Sequence, residues 1–265
     1  MSDEIRPPVR SVAVTGATGI VGTAIRQHLS SRYDLRLITR RKEAFPSTIA
    51  DLQDPSALVA AFEGMQAVVH LAAAATVEAS WPEVLSVNIA GTYNVFEAAR
   101  SANVDCVVFA SSNHVIGMNE VDNAPQLYEL DNDLVWDTKT EVRPDSLYGA
   151  SKVFGEALGR YYADNYGLRV ICLRIGSVLA GDDPRSEDVV KGSAWLKLTP
   201  EQAFARLRAT WMSQRDCAEL ISKSLQATAV DWAVVYGVSN NPRLFWDLRP
   251  AADLVGFVPQ DAAPV

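Results

Sequence analysis

Val12-Ala13-Val14-Thr15-Gly16-Ala17-Thr18-Gly19-Ile20-Val21-Gly22 is the stretch of this sequence that decides its fold. An apolar run leads into a turn in which glycines recur as GxxGxxG, and apolar residues then follow at helical spacing as far as Leu29. Glycines permit a tight turn and let a pyrophosphate approach backbone N–H groups at the start of a helix. The stretch therefore predicts a strand, a dinucleotide-binding turn built on Gly16, Gly19 and Gly22, and a helix.

Apolar strands and helical segments alternate along the rest of the chain. The predicted strands are residues 35–38, 67–71, 106–110, 168–173 and 233–236, and the predicted helices are residues 55–62, 88–99, 147–166 and 214–226. Apolar strands separated by helices indicate a parallel sheet that is covered on both faces. We therefore predict an α/β, Rossmann-type doubly wound sheet over residues 11–180. A small C-terminal substrate-binding lobe, partly interleaved with it, is expected over residues 181–265.

Composition excludes several classes of function. The 265 residues carry a net charge of -8, which argues against a general nucleic-acid binder. Cys106, Cys172 and Cys217 lie far apart and form no CxxC pair, so we expect reduced, buried thiols rather than disulfides or a metal site. No apolar run reaches the length of a membrane span, and residues 1–10 lack the apolar core of a signal peptide. A cytoplasmic protein with neither a membrane nor a nucleic acid as partner is the expectation.

A catalytic pair is predicted at the start of the helix over residues 147–166. Tyr148 and Lys152 stand at i and i+4, hence on one face of that helix. An ammonium beside a phenol stabilises the phenolate, which gives a base able to remove a hydroxyl proton as hydride leaves for a dinucleotide. Ser112 ends a buried strand at the sheet edge where ligands bind in such folds, and we expect it to orient the reacting oxygen.

The end of the second predicted strand bears on which dinucleotide binds. It reads Leu37-Ile38-Thr39-Arg40-Arg41-Lys42, without the acidic residue that accepts from a ribose 2′-hydroxyl. Guanidinium groups suit a 2′-phosphate, which they hold by charge-assisted hydrogen bonds. We therefore predict NADP in preference to NAD, with Arg40 and Arg41 as contacts. The alternative interpretation is a solvated run of surface charges.

Further motifs carry a family resemblance. They are Asn88-Ile89-Ala90-Gly91-Thr92, Phe109-Ala110-Ser111-Ser112-Asn113-His114-Val115-Ile116-Gly117, Arg174-Ile175-Gly176-Ser177 and Thr210-Trp211-Met212-Ser213. Through them, and through the GxxGxxG turn and the Tyr148 pair, the chain resembles the extended short-chain dehydrogenase/reductase superfamily over nearly its whole length. Within it, the chain resembles uronate dehydrogenases and the related archaeal sugar and sugar-phosphate 1-dehydrogenases. It lacks the aromatic residue that sugar epimerases and dehydratases usually carry before the glycine at Gly117.

The resemblance implies two sets of site residues. The implied cofactor contacts are Gly16, Thr18, Gly19, Ile20, Gly22, Arg40, Arg41, Asp51, Leu52, Leu71, Ala72, Ala73, Asn88, Ser111, Tyr148, Lys152 and Ile175. The implied substrate contacts are Thr76, Ser112, Asn113, His114, Tyr148, Ser177 and Arg206. We expect no metal in the site.

Arg206 falls where an arginine grips the carboxylate in uronate dehydrogenases. Arg208 is the alternative, because the stretch over residues 182–204 is longer than the resemblance leads us to expect, and either arginine could instead be an exposed helix charge. For His114 the alternative to a substrate contact is a hydrogen-bonded core histidine. Trp195 is expected to belong to the core.

These residues predict a dehydrogenase that moves hydride from C1 of a cyclic sugar to NADP and yields the lactone. The sugar is left open among an aldohexuronate, an aldose and a sugar 6-phosphate. One alternative is a nucleotide-sugar epimerase or dehydratase, although about 85 residues follow Ala180, few for a nucleotide-binding lobe. Another is a non-catalytic, NADP-binding redox sensor. A homo-oligomer is expected by analogy with the resembled enzymes.

Overall fold

A computed structural model describes residues 7–186 and 194–264 of the chain. Its centre is a seven-stranded parallel sheet in the order β3-β2-β1-β4-β5-β6-β7. The strands are β1 (Ser11–Thr15), β2 (Asp34–Thr39), β3 (Thr48–Ile49), β4 (Ala67–His70), β5 (Cys106–Ser112), β6 (Arg169–Ile175) and β7 (Trp232–Gly237). The predicted α/β, doubly wound sheet is confirmed.

Helices cover the sheet and position the site. They are α1 (Ile20–Leu29), α2 (Pro55–Phe62), α3 (Trp81–Glu83), α4 (Gly91–Ser101), α5 (Gly117–Asn123), α6 (Leu147–Tyr166), α7 (Pro200–Thr210), α8 (Gln214–Gln226) and α9 (Arg249–Val255). A π-helix over Val84–Ala90 joins α3 to α4. The described helices include none that is both long and apolar enough to cross a membrane.

Local chemistry sets where the longest helix begins and ends. The Ser146 hydroxyl accepts a hydrogen bond from the Gly149 N–H at 3.0 Å and caps α6. Gly167, in the left-handed region with φ +67°, stops the helix. Gly149 lies so close to the preceding turn that a Cβ would stand 2.5 Å from the His114 carbonyl oxygen. The first turn of α6, which carries Tyr148, is therefore fixed against the chain that follows β5.

The core lies on both faces of the sheet because neighbouring residues of a strand point to opposite sides. In β1, Val12 and Val14 pack on the face covered by α1, α8 and α9, whereas Ala13 packs on the face covered by α2, α4 and α6. All of these side chains are buried, as are Cys106, Cys172 and Cys217. Each fully buried large aliphatic side chain contributes about 1.5–3 kcal/mol to folding.

The order of the strands creates the crevice where a ligand fits. β1 pairs with β2 on one side and with β4 on the other, so the chain changes direction at β1. In open parallel sheets, ligands bind at the carboxyl ends of the strands beside this switch point. The glycine turn follows β1, and Ser111 and Ser112 end β5 at the same edge.

The C-terminal part of the chain contributes to two regions. β7 pairs with β6 and extends the sheet. A separate apolar cluster joins Val115 and Ile116, which follow β5, to residues of the C-terminal part such as Ala209, Phe245 and Trp246. The charged stretch over residues 184–199 suggests a loop from its sequence; part of it lies outside the described residues, and Ala194–Leu196 forms a 3₁₀ turn.

Candidate active site

The glycine turn has the close backbone packing that its sequence predicts. Gly16 adopts φ +72°, and a Cβ there would stand 2.7 Å from the backbone nitrogen of Ala72. A Cβ on Gly22 would stand 2.4 Å from the carbonyl oxygen of Gly16. Only glycine fits at these positions, so the turn holds β1, α1 and the chain after β4 together.

The start of α1 offers donors for an anion. Gly19 precedes the helix without a side-chain hydrogen bond to its first turn, and Thr18, Gly19 and Ile20 are exposed. The first N–H groups of a helix lack partners inside the helix and carry the positive end of its dipole. This exposed N-terminus fits the pyrophosphate of a dinucleotide.

The basic cluster after β2 is solvent-exposed. Within residues 7–186 and 194–264, the side chains of Arg40, Arg41 and Lys42 form no ion pair. The Thr39 hydroxyl donates to the Arg41 carbonyl at 2.8 Å and lies 3.1 Å from Ser47 Oγ, and both contacts shape the loop. The arginines are thus placed at the carboxyl end of β2, beside β1.

The other predicted cofactor residues differ in what their side chains do. Asp51 is exposed, and its carboxylate accepts from the Gln53 N–H at 2.9 Å. Leu52 is buried against Gly91. The group Leu71, Ala72 and Ala73 is half-buried after β4.

Asn88 does not have a free side chain. Its Nδ2 donates to Ser151 Oγ at 3.0 Å and to the Ala74 carbonyl at 3.3 Å, and its Oδ1 accepts from the Ala74 N–H at 2.8 Å. It is 2% exposed. Asn88 therefore ties the chain after β4 to α6 through its side-chain amide.

Tyr148 and Lys152 occupy the predicted face of α6. Lys152 is buried, its Nζ donates to the Ala110 carbonyl at 2.8 Å, and the same Nζ lies 5.5 Å from the centre of the Tyr148 ring. Burial lowers the pKa of Lys152 to about 8. Tyr148 is half-buried, and its phenol faces Ser112.

The expected lowering of the Tyr148 pKa is absent from this structure. Burial raises the pKa of Tyr148, the Ser112 hydroxyl partly offsets that rise, and the nearby Asp145 carboxylate adds to it. Burial is the largest cause, and the Lys152 ammonium donates its hydrogen bond to a backbone carbonyl rather than to the phenol.

Ser111 and Ser112 point their hydroxyls to different partners. Ser111 Oγ donates to Glu156 Oε1 at 2.6 Å in the buried layer behind the site. Ser112 Oγ accepts from the His114 N–H at 3.3 Å and donates to Asn113 Oδ1 at 3.3 Å. Ser112 is thus the one of the two that lies beside Tyr148, as predicted for the residue that orients the substrate oxygen.

His114 forms a hydrogen-bonded pair with Asp145 that its sequence did not predict. Its Nδ1 lies 2.6 Å from Asp145 Oδ2, and the side chains of His114 and Asp145 are 18% and 1% exposed. The His114 ring lies 5.7 Å from the Tyr148 ring, centre to centre. A Cβ on Gly117 would overlap the Asp145 carboxylate, so this glycine leaves the room that the pair needs. Asp145 precedes Tyr148 in the sequence, and that proximity was its one available signal.

Three further substrate candidates are spread around this centre. Thr76 is exposed in the chain after β4, and Asn113 is buried beside Ser112. Ser177 Oγ lies 2.8 Å from Thr210 Oγ1, which ties the chain after β6 to the end of α7.

Trp195 was expected to belong to the core, but it does not. It is half-buried, and its ring lies 5.6 Å from the His114 ring and 5.6 Å from the Arg206 guanidinium carbon. Trp195 therefore lies at the edge of the candidate site.

Arg206 is buried rather than an exposed helix charge, which corrects that alternative, and its guanidinium is paired within the protein. Its Nε and Nη2 donate to the two carboxylate oxygens of Glu120 at 2.8 and 3.1 Å, deep in the protein. The fork that was expected to hold a substrate carboxylate already holds a protein carboxylate. Arg208, the alternative, is two residues further along α7 and points to another side of the helix. It lines a separate cavity of about 440 Å³ with Arg185, Phe204 and Pro264.

Comparison with known proteins identifies the family. Residues 12–196 match the family model described as NAD dependent epimerase/dehydratase family. The chain belongs to this family. Several relatives that are similar over nearly the full length bear the names of sugar dehydrogenases, in keeping with the resemblance that the motifs carry.

Two curated relatives and one solved structure illustrate the likeness. The L-arabinose 1-dehydrogenase (NAD(P)(+)) of Haloferax volcanii is 42% identical over 94% of this chain and 96% of that protein. The NAD-dependent glucose-6-phosphate dehydrogenase of the same organism is 36% identical over 94% of this chain and 93% of that protein. The crystal structure of a glucuronic acid dehydrogenase from Chromohalobacter salexigens superimposes with a TM-score of 0.79, at 33% identity over 96% of this chain and 86% of that one.

Proposed function

We propose that the protein oxidises the anomeric C1 hydroxyl of a cyclic sugar to the lactone, with a nicotinamide dinucleotide as the oxidant. The observation that carries the proposal is the grouping of Tyr148, Lys152 and Ser112 at the sheet edge that also carries the glycine turn. The names of the similar sugar 1-dehydrogenases support the same chemistry.

Each of these side chains has a role in the proposed reaction. The Tyr148 oxygen takes the hydroxyl proton while C1 loses a hydride and its bond to oxygen becomes a double bond. Ser112 holds the reacting oxygen next to the phenol, and the Lys152 ammonium favours the phenolate by its charge. A bound nicotinamide dinucleotide supplies the hydride acceptor. His114 and Asn113 meet the sugar hydroxyls.

NADP is the proposed preferred form of the cofactor. The exposed guanidinium groups of Arg40 and Arg41 at the end of β2 support it, because a 2′-phosphate needs positive partners at that place. The related proteins bear names with both NAD(P) and NAD, so binding of NAD as well is consistent with the proposal.

The remaining parts of the proposal concern organisation. Residues 181–265 act as a substrate-binding lobe, which the position of Trp195 against His114 supports. The protein is cytoplasmic and a homo-oligomer, to which exposed tyrosines on α4 and α6, Tyr93 and Tyr161, would contribute contacts. Light scattering after size exclusion measures the mass that decides the oligomeric state.

A substrate panel tests the proposed function. L-arabinose, glucose 6-phosphate, glucuronate and a nucleoside diphosphate sugar are each incubated with NADP or NAD, and reduced nicotinamide is followed by absorbance. We expect reduction with at least one free sugar and loss of that activity in Tyr148→Phe. Tight NADP binding without turnover of any sugar would contradict the proposal in favour of a sensor. Conversion of the nucleotide sugar alone would favour an epimerase or dehydratase.

A further inference from the structure

Arg206 and Glu120 form a buried ion pair beside the candidate site. Arg206 donates from Nε and Nη2 to both oxygens of Glu120 at 2.8 and 3.1 Å, and their side chains are 8% and 2% exposed. The Tyr128 hydroxyl donates to Glu120 Oε1 at 2.9 Å. Glu120 lies on α5, Arg206 on α7, and Tyr128 in the 3₁₀ turn that follows α5.

The pair carries no net charge at neutral pH. Burial works against the charged guanidinium, but the adjoining Glu120 carboxylate overcomes this and raises the pKa of Arg206. A buried charge that loses its partner is strongly unfavourable, so the two groups hold one another in place. Arg206 therefore offers no unbalanced positive charge to a ligand.

A continuous row of side chains links this pair to the proposed base. The Tyr148 ring lies 5.7 Å from the His114 ring, and the His114 ring lies 5.6 Å from the Trp195 ring. The Arg206 guanidinium carbon lies 5.6 Å from the centre of the Trp195 ring. A sugar whose C1 is at Tyr148 would extend along this row. The net charge of the pair of Arg206 and Glu120 would therefore affect which sugars bind.

We propose, on the basis of the function proposed above, that the site selects an uncharged aldose and that Glu120 enforces this choice by neutralising Arg206. A sugar carboxylate or phosphate would have to displace Glu120 from the arginine fork and stand next to the displaced carboxylate, which like charges oppose. The hydroxyl groups of an uncharged sugar can bond the side chains of Ser112 and Asn113 and leave the pair of Arg206 and Glu120 intact. Relatives named for neutral and for phosphorylated sugars are both similar to the chain, so the pair, rather than overall similarity, carries the choice.

Glu120→Gln tests the role of the carboxylate. Glutamine keeps the shape and an oxygen for Tyr128 but leaves the positive charge of Arg206 unbalanced. We expect the ratio of kcat/KM for glucuronate to kcat/KM for L-arabinose to rise by about tenfold or more relative to the wild type. An unchanged ratio in the folded variant would overturn the proposal.

Asp122→Asn is the matched control. Asp122 lies on the same helix as Glu120 and also pairs with an arginine, Arg143, but at the surface. The ratio of the two kcat/KM values is expected to equal that of the wild type. A rise as large as that in Glu120→Gln would mean that the net charge of the protein, not the buried pair, sets the preference, and would overturn the proposal.

A double variant covers the case in which Glu120→Gln fails to fold. Glu120→Met with Arg206→Met replaces the pair by apolar side chains of similar volume, an exchange that buried ion pairs often tolerate. It also places no net charge beside the site, so the preference for L-arabinose over glucuronate is expected to persist. Loss of that preference would contradict the proposal.

The wild-type panel separates this inference from the proposed function. Turnover of L-arabinose above glucuronate and glucose 6-phosphate supports both. A preference for either anionic sugar overturns the selection of an uncharged aldose but remains consistent with the proposed sugar dehydrogenase activity. No turnover of any sugar overturns the proposed function itself.

Discussion

Lys152 donates from Nζ to the Ala110 carbonyl oxygen at 2.8 Å, so the ammonium beside the proposed base is anchored to the sheet. The bond fixes the ammonium 5.5 Å from the centre of the Tyr148 ring. The two side chains form no direct hydrogen bond, so any effect of the charge on the phenol acts through space. We predict that the ionisation of Tyr148 during turnover depends on whether Lys152 is charged.

Removal of the Lys152 charge should move the pH dependence of turnover. Because a positive neighbour favours phenolate, Lys152→Met should shift the acid limb of the kcat profile to higher pH and lower kcat by about 10²–10⁴-fold at neutral pH. The profile is measured between acidic and strongly basic pH with the best sugar of the panel. A variant with low kcat but an unmoved acid limb would show that Lys152 acts on substrate or cofactor binding alone.

The buried ion pair behind the site should carry much of the stability of this region. Arg174 donates from Nε and Nη2 to Glu156 at 2.9 and 2.8 Å, with both side chains largely buried. Glu156→Gln leaves the guanidinium without its counter-charge and should lower the free energy of unfolding by about 3–5 kcal/mol. Asp164→Asn, which breaks an exposed pair with Arg160 on the same helix, should cost less than about 1 kcal/mol. Urea unfolding measures the free energy of unfolding of both variants. Equal losses would contradict the expected difference between the buried pair and the exposed pair.

His70 should make the protein less stable as the pH falls. Burial, assisted by the charge of Lys152, lowers the pKa of His70 from 6.5 to about 3. Below pH 6.5, His70 is therefore protonated in the unfolded chain but stays neutral in the folded chain. The free energy of unfolding falls by about 1.4 kcal/mol per pH unit down to about pH 3. Between pH 6.5 and pH 5 this amounts to about 2 kcal/mol.

His70→Gln isolates that contribution. Urea unfolding at about pH 7.5 and about pH 5 should show a smaller loss of stability in His70→Gln than in the wild type. His28→Gln, at an exposed position of α1, serves as the control and should keep the wild-type difference. Identical differences in all three proteins would mean that His70 takes up its proton in the folded state.

The basic cluster after β2 should set the cofactor preference. Arg40→Ala removes one charge-assisted hydrogen bond to a 2′-phosphate, worth about 1.5–3 kcal/mol, so the Kd for NADP should rise by about tenfold to a hundredfold. The Kd for NAD should change little. Arg249→Ala, an exposed arginine on α9, is the control. Equal weakening of both cofactors by Arg40→Ala, measured by calorimetry, would refute a contact with the 2′-phosphate.

Short-range patterns explain why much of the fold and the centre of the site could be predicted. The turn from Gly16 to Gly22 and the pair of Tyr148 and Lys152 depend on spacing within one turn or one helix. The buried strands follow from apolar runs. Even so, the helix predicted from Asn88 in fact continues from Trp81 through a π-helical segment, and its capping box at Ser80 and Glu83 was a local signal that went unused.

Partners distant in sequence explain what could not be predicted. Arg206 and Glu120 are paired although they lie 86 residues apart in the sequence, and His114 and Asp145 are paired although they lie 31 residues apart. Nothing in the composition of either segment shows that the side chains meet, because the meeting depends on how α5, α6 and α7 pack around the end of β5. Whether a buried arginine already holds a protein carboxylate is therefore a property of the fold.

Transfer of a deuterium label tests the central claim most directly. The preferred aldose is labelled with deuterium at C1 and incubated with NADP and the enzyme, and the reduced nicotinamide and the sugar product are examined by NMR. We predict deuterium on the reduced nicotinamide and a 1,5- or 1,4-lactone as the first product, with no transfer by Tyr148→Phe. Retention of deuterium in the sugar, or full transfer by Tyr148→Phe, would contradict hydride removal from C1 with Tyr148 as the base.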